Sequence, residues 1–310
     1  MPFPLEDKLV IAVSSSALFD LGEADRIFKS QGSDEYRKYT IANEDSPFEK
    51  GPAFSFIQRL LQVNNPKDDF EPIEVVLISK NDADTGHRVH KSLRHYQLDI
   101  TRSAFTCGRK PYPYISVFKA SLFLSTNEAD VMDALENQKP GGMILFPKNK
   151  KDVENLESSE LRIAFDFDGI LADDSSENIY QTHGLEGFQK HEEKYSEEPL
   201  PPGPLQPLLA KISAIQKREL ERQEKDSSYK PKIRTSLITS RSSTAQERVV
   251  KTLRHWGITC NEAFFLGGAS KDRILSVFRP HIFFDDQKKH LSHPDISMAM
   301  VHVPYGKLNK

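Results

Sequence analysis

Cysteine is scarce: Cys107 and Cys260 are the only two in 310 residues. Their spacing suits neither a disulfide framework nor a metal site, which points to free thiols in a reducing compartment. A surplus of charge is missing as well. The chain carries 42 Lys and Arg against 45 Asp and Glu, a formal net charge of -3, so it has no broad basic footprint for nucleic acid or an anionic membrane. A small anionic ligand is compatible with that balance. No apolar run approaches the roughly 18 residues of a membrane span, and Leu9-Val-Ile-Ala-Val13 is too short, and too close behind acidic residues, for a signal peptide. These absences predict a soluble, cytoplasmic protein with no nucleic-acid and no membrane partner. The length suits two domains of ordinary size.

What is present is an alternation. Strand-like runs recur at Leu9 to Val13, Val75 to Ser79, Ser121 to Leu124, Met143 to Phe146, Ile163 to Phe165, Thr235 to Ile238, His281 to Phe284 and Met298 to Val303, with helical or mixed segments between. That pattern predicts an α/β fold with a largely parallel sheet in each half. The stretch Lys190 to Lys225 is charge-rich, is broken by Pro199-Leu-Pro-Pro-Gly-Pro204 and turns helical from Leu208 to Glu224. It reads as an inserted cap, which would occupy about 175–230.

A constant shift of 160 positions lays the chain on itself without a gap. Leu93-Arg-His95 falls on Leu253-Arg-His255, Leu77-Ile78 on Leu237-Ile238, Arg88-Val89 on Arg248-Val249 and Val117-Phe118 on Val277-Phe278. A smaller shift sets Ala12 to Leu18 on Ala164 to Ile170, unequal insertions absorbing the difference. This is an internal duplication of one α/β unit, predicting domains over 1–155 and 156–310. Ser14 and Ser16 then stand opposite Asp166 and Asp168, and Ser125-Thr126 opposite Asp285-Asp286. The first copy lacks the acids an oxygen-rich metal site needs, so the second copy alone is expected to do chemistry. For the first, a scaffold role is expected, with a retained nucleotide pocket near Ser14, Ser79 and Lys80 as the alternative.

In the second half four elements follow in order: Asp166-Phe-Asp168 at the end of a strand, Leu237-Ile-Thr-Ser240 closing another, Lys271 after Gly267-Gly268, and Phe283-Phe-Asp-Asp286. Singly each is weak, since an Asp-x-Asp is usually a solvated loop and a lone Lys usually surface. Together they resemble the motifs of the haloacid-dehalogenase-like phosphohydrolases, α/β proteins with the active site at the strand ends. An ionised carboxylate attacks phosphorus once a cation screens the repulsion between two anions. Asp166 is the expected nucleophile and Asp168, two residues on, the acid and base. Mg²⁺ prefers octahedral oxygen ligands, for which Asp166 and Asp286 are the expected side-chain donors. The resemblance implies that the carbonyl of Asp168 adds a ligand and that Asp285 acts through water or as a partner of the ligands. Thr239 is expected on a phosphoryl oxygen, Ser240 and Arg241 at the substrate, and Lys271 as fixed positive charge. Asp173-Asp174 reads as a helix cap before Ser175. His255, His281, His290 and His302 fit no metal spacing. Phe188, His191 and Tyr195 read as packing, with stacking on a base as the alternative.

The chain is also similar, from end to end, to the cytosolic 5'-nucleotidases of type I. The matching stretches include Ile11-Ala-Val-Ser-Ser15, Gly51-Pro-Ala-Phe54, His183-Gly-Leu185, Lys251-Thr-Leu-Arg254, Arg279-Pro-His-Ile-Phe-Phe-Asp-Asp-Gln287 and His302-Val-Pro-Tyr-Gly306. The resemblance implies Mg²⁺-dependent hydrolysis of a nucleoside 5'-monophosphate, typically AMP, an adenine-nucleotide activator and a homo-oligomer. Fold alone does not fix the substrate, so another small-metabolite phosphatase, or a nucleotide-sensing protein whose catalysis has lapsed, remains open at this point.

Overall fold

The computed structural model describes residues 4–68, 70–146, 160–292, 298–306 and 309. The chain divides into two units, Met1–Phe146 and Pro147–Lys310. The domain boundary expected at 155/156 lies outside the described residues.

In the first unit the strands are β1 (Leu9–Val13), β2 (Phe19–Asp20), β3 (Glu49–Lys50), β4 (Ile73–Ser79), β5 (Arg102–Phe105), β6 (Leu122–Ser125) and β7 (Gly141–Leu145). All but β2 and β3, a separate antiparallel pair, lie in a parallel array in the order β7-β6-β1-β4-β5. The second unit holds β8 (Leu161–Phe165), β9 (Ile233–Thr239), β10 (Glu262–Phe265), β11 (Ile282–Asp285) and β12 (Ala299–His302), parallel in the order β12-β11-β8-β9-β10. The two orders are the same. Central strands such as β1 and β4 are buried at every residue, because helices cover both faces of a parallel sheet and leave no polar side to alternate with. β5 and β10 escape a reading of apolar runs for the opposite reason: they end the order in each unit and are mostly half-exposed, so their residues are mixed.

The helices are α1 (Ser15–Leu18), α2 (Gly22–Gln31), α3 (Ser33–Ala42), α4 (Phe54–Leu61), α5 (Gly86–His95), α6 (Tyr112–Val117) and α7 (Glu128–Glu136), then α8 (Ser175–Lys194), α9 (Gln206–Lys225), α10 (Gln246–His255) and α11 (Asp272–Phe278). The segment expected as one inserted cap over 175–230 divides in two. α9 buries Leu208, Leu209, Ile212 and Ile215, and its Gln216 amide donates to the carbonyl of Ile233 at 3.2 Å while Glu219 accepts from the N–H of Lys232 at 2.8 Å. It is therefore the packed crossover between β8 and β9, not cap. The α8 part packs instead against α10 and the turn at Ser243–Ala245.

That part is not peculiar to the second unit. α8 is broken at Gly184 (φ 65°, ψ -170°), and Gly32 between α2 and α3 holds nearly the same conformation (φ 86°, ψ -173°). Both glycines occupy positive φ, which a side chain would resist. From β1 and β8 to the Gly51-Pro52 and Gly203-Pro204 pairs the copies keep an offset of 152, as between Gly32 and Gly184, and from β4 and β9 to β6 and β11 the offset is 160. The change falls where α9 outruns α4. Matching bonds follow both offsets: Ser92 accepts from the N–H of Phe48 at 2.9 Å, and Thr252 accepts from that of Leu200 at 3.1 Å. Lys91 pairs with Asp45, and Lys251 with Glu197.

Candidate active site

The site begins where β8 ends. Phe165 stacks on Phe284 of β11 at 5.1 Å, both fully buried, and each such ring contributes about 1.5–3 kcal/mol on leaving water. This packing, with the bond from the Asp166 N–H to the Phe284 carbonyl at 2.8 Å, brings Asp166 beside Asp285 and Asp286. The chain leaves β8 toward β9 on one side and returns through β11 on the other. The order therefore reverses between β8 and β11, the crevice where open α/β sheets bind ligands at their strand C-termini.

Lys271 is carried to the same point by the loop after β10. Gly267 and Gly268 take positive φ (55° and 84°), and their N–H groups donate to the carbonyls of Arg241 and Ser240 at 3.0 and 2.9 Å. This laces the loop to the exit of β9 and sets Lys271 just before α11. Its ammonium, 3% exposed, lies 2.8 Å from Asp166 Oδ2 and 2.7 Å from Asp285 Oδ2. Burial works against that charge, but the two carboxylates outweigh it and raise the lysine above its usual range.

The acids differ from one another. Burial pushes the Asp166 carboxyl up, against Lys271, to about 7. Asp286 is pushed up to about 9 by burial, with Asp166 and Asp285 adding repulsion. Asp285 is also buried, yet Lys271 and His290 hold it below the usual carboxylate range. Asp285 is fully engaged: Oδ2 faces Lys271, Oδ1 accepts from the N–H of Gln287 at 2.8 Å, and His290 Nδ1 is 3.1 Å from both oxygens. Asp286 Oδ1, by contrast, is buried with no hydrogen-bond partner among the described residues.

An orphaned carboxylate oxygen beside a second acid and a crowded glycine fits a cation. Atoms of Asp166, Asp285 and His290 also lie within 4.8 Å of one another, but the Lys271 ammonium already bridges Asp166 and Asp285. Asp286 is the better donor. A divalent ion would match the charge that one lysine leaves over on three acids and would keep Asp166 and Asp286 ionised.

Thr239 ends β9, 1% exposed, its hydroxyl accepting from the Arg241 N–H at 3.2 Å; Ser240 follows it, exposed at the rim. Arg241, expected at the substrate, lies against two acids. Its Nε and Nη2 donate to Asp168 Oδ2 and Oδ1 at 2.8 and 2.7 Å, and its Nη1 to Glu192 of α8. Three of its nitrogens hold protein carboxylates among the described residues. Two of the histidines that fit no metal spacing hold acids of the site. His290 fixes Asp285, and His302 on β12 donates from Nε2 to the carbonyl of Asp286 at 3.0 Å. Asp174 holds the N-cap position of α8 without a side-chain cap bond, and Asp173 before it accepts through Oδ1 from the Ser175 N–H at 3.2 Å and hydroxyl at 2.6 Å. Phe188 packs under the Arg241 guanidinium at 5.3 Å and Tyr195 under Arg248 at 5.9 Å, which favours the packing reading of those aromatics.

From Asp168 and Asp286 a shallow, open cleft runs along the first half of α8, lined by Asp174, Asn178, Gln181, Gln287 and Tyr305. Its lining side chains are mostly polar. In the first unit the positions of the acids and of Thr239 hold hydroxyls: Ser14 and Ser16 are 3.1 Å apart, Thr126 donates to Ser16 at 2.7 Å, and Ser79 meets Ser15 at 2.9 Å, while Lys80 beside them is paired with Asp130. Among the described residues no helix is long and apolar enough to cross a membrane.

These carboxylates, lysine and threonine can be set beside known proteins. The chain is 35% identical over 298 residues to human "Cytosolic 5'-nucleotidase 1B", an alignment covering 94% of this chain and 48% of the relative. It thus spans about half the length of that curated relative. A family model described as 5'-nucleotidase matches residues 1–310, and by that match and this identity the chain belongs to the 5'-nucleotidase family.

Proposed function

We propose that the second unit hydrolyses nucleoside 5'-monophosphates, AMP foremost, through an aspartyl-phosphate on Asp166. The observation that carries this reading is the position of Asp166: a buried carboxylate at a strand end, 2.8 Å from a buried ammonium and next to an acid with an orphaned oxygen. Membership in the 5'-nucleotidase family supports the substrate class. Asp166, Asp286 and the carbonyl of Asp168 would hold Mg²⁺, with Asp285 steering Lys271 and the loop rather than ligating. When bound, the ion supplies positive charge that lets an anionic nucleophile approach an anionic phosphate.

The residues divide the work. A carboxylate oxygen of Asp166 forms a bond to phosphorus as the bond from phosphorus to the 5' oxygen breaks. Asp168 gives that oxygen its proton, so nucleoside leaves as an alcohol. Asp168, now ionised, takes a proton from the water that attacks the acyl-phosphate, and inorganic phosphate departs with Asp166 restored. Lys271 and the Thr239 hydroxyl stay where negative charge gathers on the phosphoryl oxygens. The cleft along α8 takes the nucleoside, with Asn178, Gln181 and Tyr305 offering polar edges.

The first unit, without acids, serves as scaffold. A cytosolic setting, a homo-oligomer and activation by adenine nucleotides belong to the same proposal, the first supported by the printed name of the human relative. Phosphate release from a panel of nucleoside and sugar monophosphates, with and without Mg²⁺, tests the reading. Turnover of nucleoside 5'-monophosphates that needs the ion is expected; release from sugar phosphates alone would overturn it.

A further inference from the structure

Asp168 is held in a manner that neither its own loop nor the strand order explains. Arg241 grips both carboxylate oxygens, its guanidinium resting 5.2 Å from the centre of the Phe167 ring and 5.3 Å from that of Phe188. The remaining nitrogen reaches Glu192, whose second oxygen accepts from Arg248 Nη1 at 2.8 Å. Glu192 is 2% exposed, and Ser176 and His191 also lie against it at 3.3 and 3.2 Å. Burial pushes its carboxyl up, yet the two arginines hold it below the usual range, so it stays ionised. A bidentate guanidinium fixes the plane of a carboxylate as well as its position. None of the contacts of Glu192 reaches Asp166, Lys271 or Asp286.

The duplication supplies an internal control. At the offsets of 152 and 160, Asp168, Glu192, Arg241 and Arg248 correspond to Ser16, Thr40, Asn81 and Arg88. Three of the four are replaced together; the arginine stays. Its retention has a separate cause, since Arg88 Nε donates to the carbonyl of Ser46 and Arg248 Nε to that of Glu198, both at 2.9 Å. Arg88 Nη1, the counterpart of the nitrogen that holds Glu192, is buried without a hydrogen-bond partner among the described residues. The first copy keeps the kink at Gly32, the Ser92 bond and the Lys91 pair, so the helical segment folds there without the ionic chain. The chain of charges accompanies the acid, not the fold.

We infer that Glu192 is a positioning residue for the proton transfer by Asp168, acting through Arg241. This rests on the reading of Asp168 as acid and base given above. Glu192 lies beyond the break at Gly184, and Ser176 in the half of α8 that lines the cleft meets it at 3.3 Å, so the aim of the acid depends on where the two halves sit. With Glu192 neutral, Arg241 loses one of its two anchors and Asp168 loses its fixed plane. Protonation of the leaving oxygen then suffers, while attack by Asp166 does not.

The test uses two substrates that differ in one atom: AMP, and its analogue with sulfur in place of the bridging 5' oxygen. A thiolate leaves without a proton. The rate compared for every variant is single-turnover release of the nucleoside, because the later hydrolysis of the aspartyl-phosphate uses Asp168 as base and is common to both substrates. For Glu192→Gln this rate on AMP is expected to fall about 10–100-fold with half-saturation little moved, and on the sulfur ester to change by no more than about threefold. Equal losses on both substrates, or no loss on either, overturn the inference. Arg241→Lys keeps the buried charge but lacks the fork, and is held to the same criterion should Glu192→Gln fail to fold. Asp168→Asn separates the two layers of the argument. If it spares the sulfur ester while Glu192→Gln does not, Glu192 has no positioning role; if Asp168→Asn slows both esters alike, the acid role of Asp168 falls and the inference with it.

Discussion

Gly169 stands so near Asp286 that a β-carbon on it would lie 2.8 Å from Asp286 Oδ2. The backbone there has φ 73°, a conformation costing an L-residue roughly 1–2 kcal/mol. Gly169→Ala is therefore expected to push the Asp286 carboxylate off its position and weaken Mg²⁺ binding about tenfold or more. Titration calorimetry checks this, with thermal melting to show that the fold persists. Unaltered affinity would remove Asp286 from the ligand set.

Metal binding should tighten with pH. Without a cation Asp166 titrates at about 7 and Asp286 at about 9, so below pH 7 both hold protons that a ligand must give up. Affinity measured from pH 6 to 9 is expected to rise throughout, with protons released on binding. The same shifts give the sign for stability: both carboxyls hold protons better folded than unfolded, so the metal-free protein loses stability as pH climbs from about 4 through 7 and 9. Melting temperatures that stay flat with pH in the presence of a chelator would contradict this.

Asp166→Asn is expected to lower kcat by about 10⁴ or more, because an amide cannot carry the phosphoryl group. Lys271 keeps Asp285 as a partner at 2.7 Å, so the fold should survive. Rapid quenching of the wild type with labelled substrate should trap phosphate on protein, and the variant should trap none.

Thr252→Val and Ser92→Ala remove equivalent acceptors from the N–H groups of Leu200 and Phe48. Each leaves a buried donor unsatisfied at about 1–3 kcal/mol. Denaturant unfolding should show losses of similar size; a loss in one variant alone would argue against equivalent packing of the two copies.

Three of the four motifs were legible because each places a charged or hydroxyl residue directly after an apolar run, and strand ends are where such side chains gather; Lys271, in a glycine loop, was legible by its place in the order. Position 192 shows why the rest was not. In His191-Glu-Glu-Lys194 the two glutamates look alike, yet Glu192 is buried between two arginines and Glu193 is exposed. Only tertiary packing separates them. His290 was unreadable for a similar reason, since its partner Asp285 is brought to it by a short 3₁₀ turn rather than by any metal-type spacing. One signal was available: Gly32 with Gly184, and Gly51-Pro52 with Gly203-Pro204, extend the smaller offset across the helical segment. Followed that far, it would have shown the segment to be shared by both copies.

Arg88, left with a buried nitrogen and no carboxylate, has a consequence for descent. An aspartate at position 16 would find at Asn81 an amide that donates single bonds but has no fork to fix its plane, and glutamate at 40 alone would serve Arg88 without supplying an acid. The arrangement of the second copy therefore needs changes at 16, 40 and 81 together, with the fourth member, Arg88, already in place.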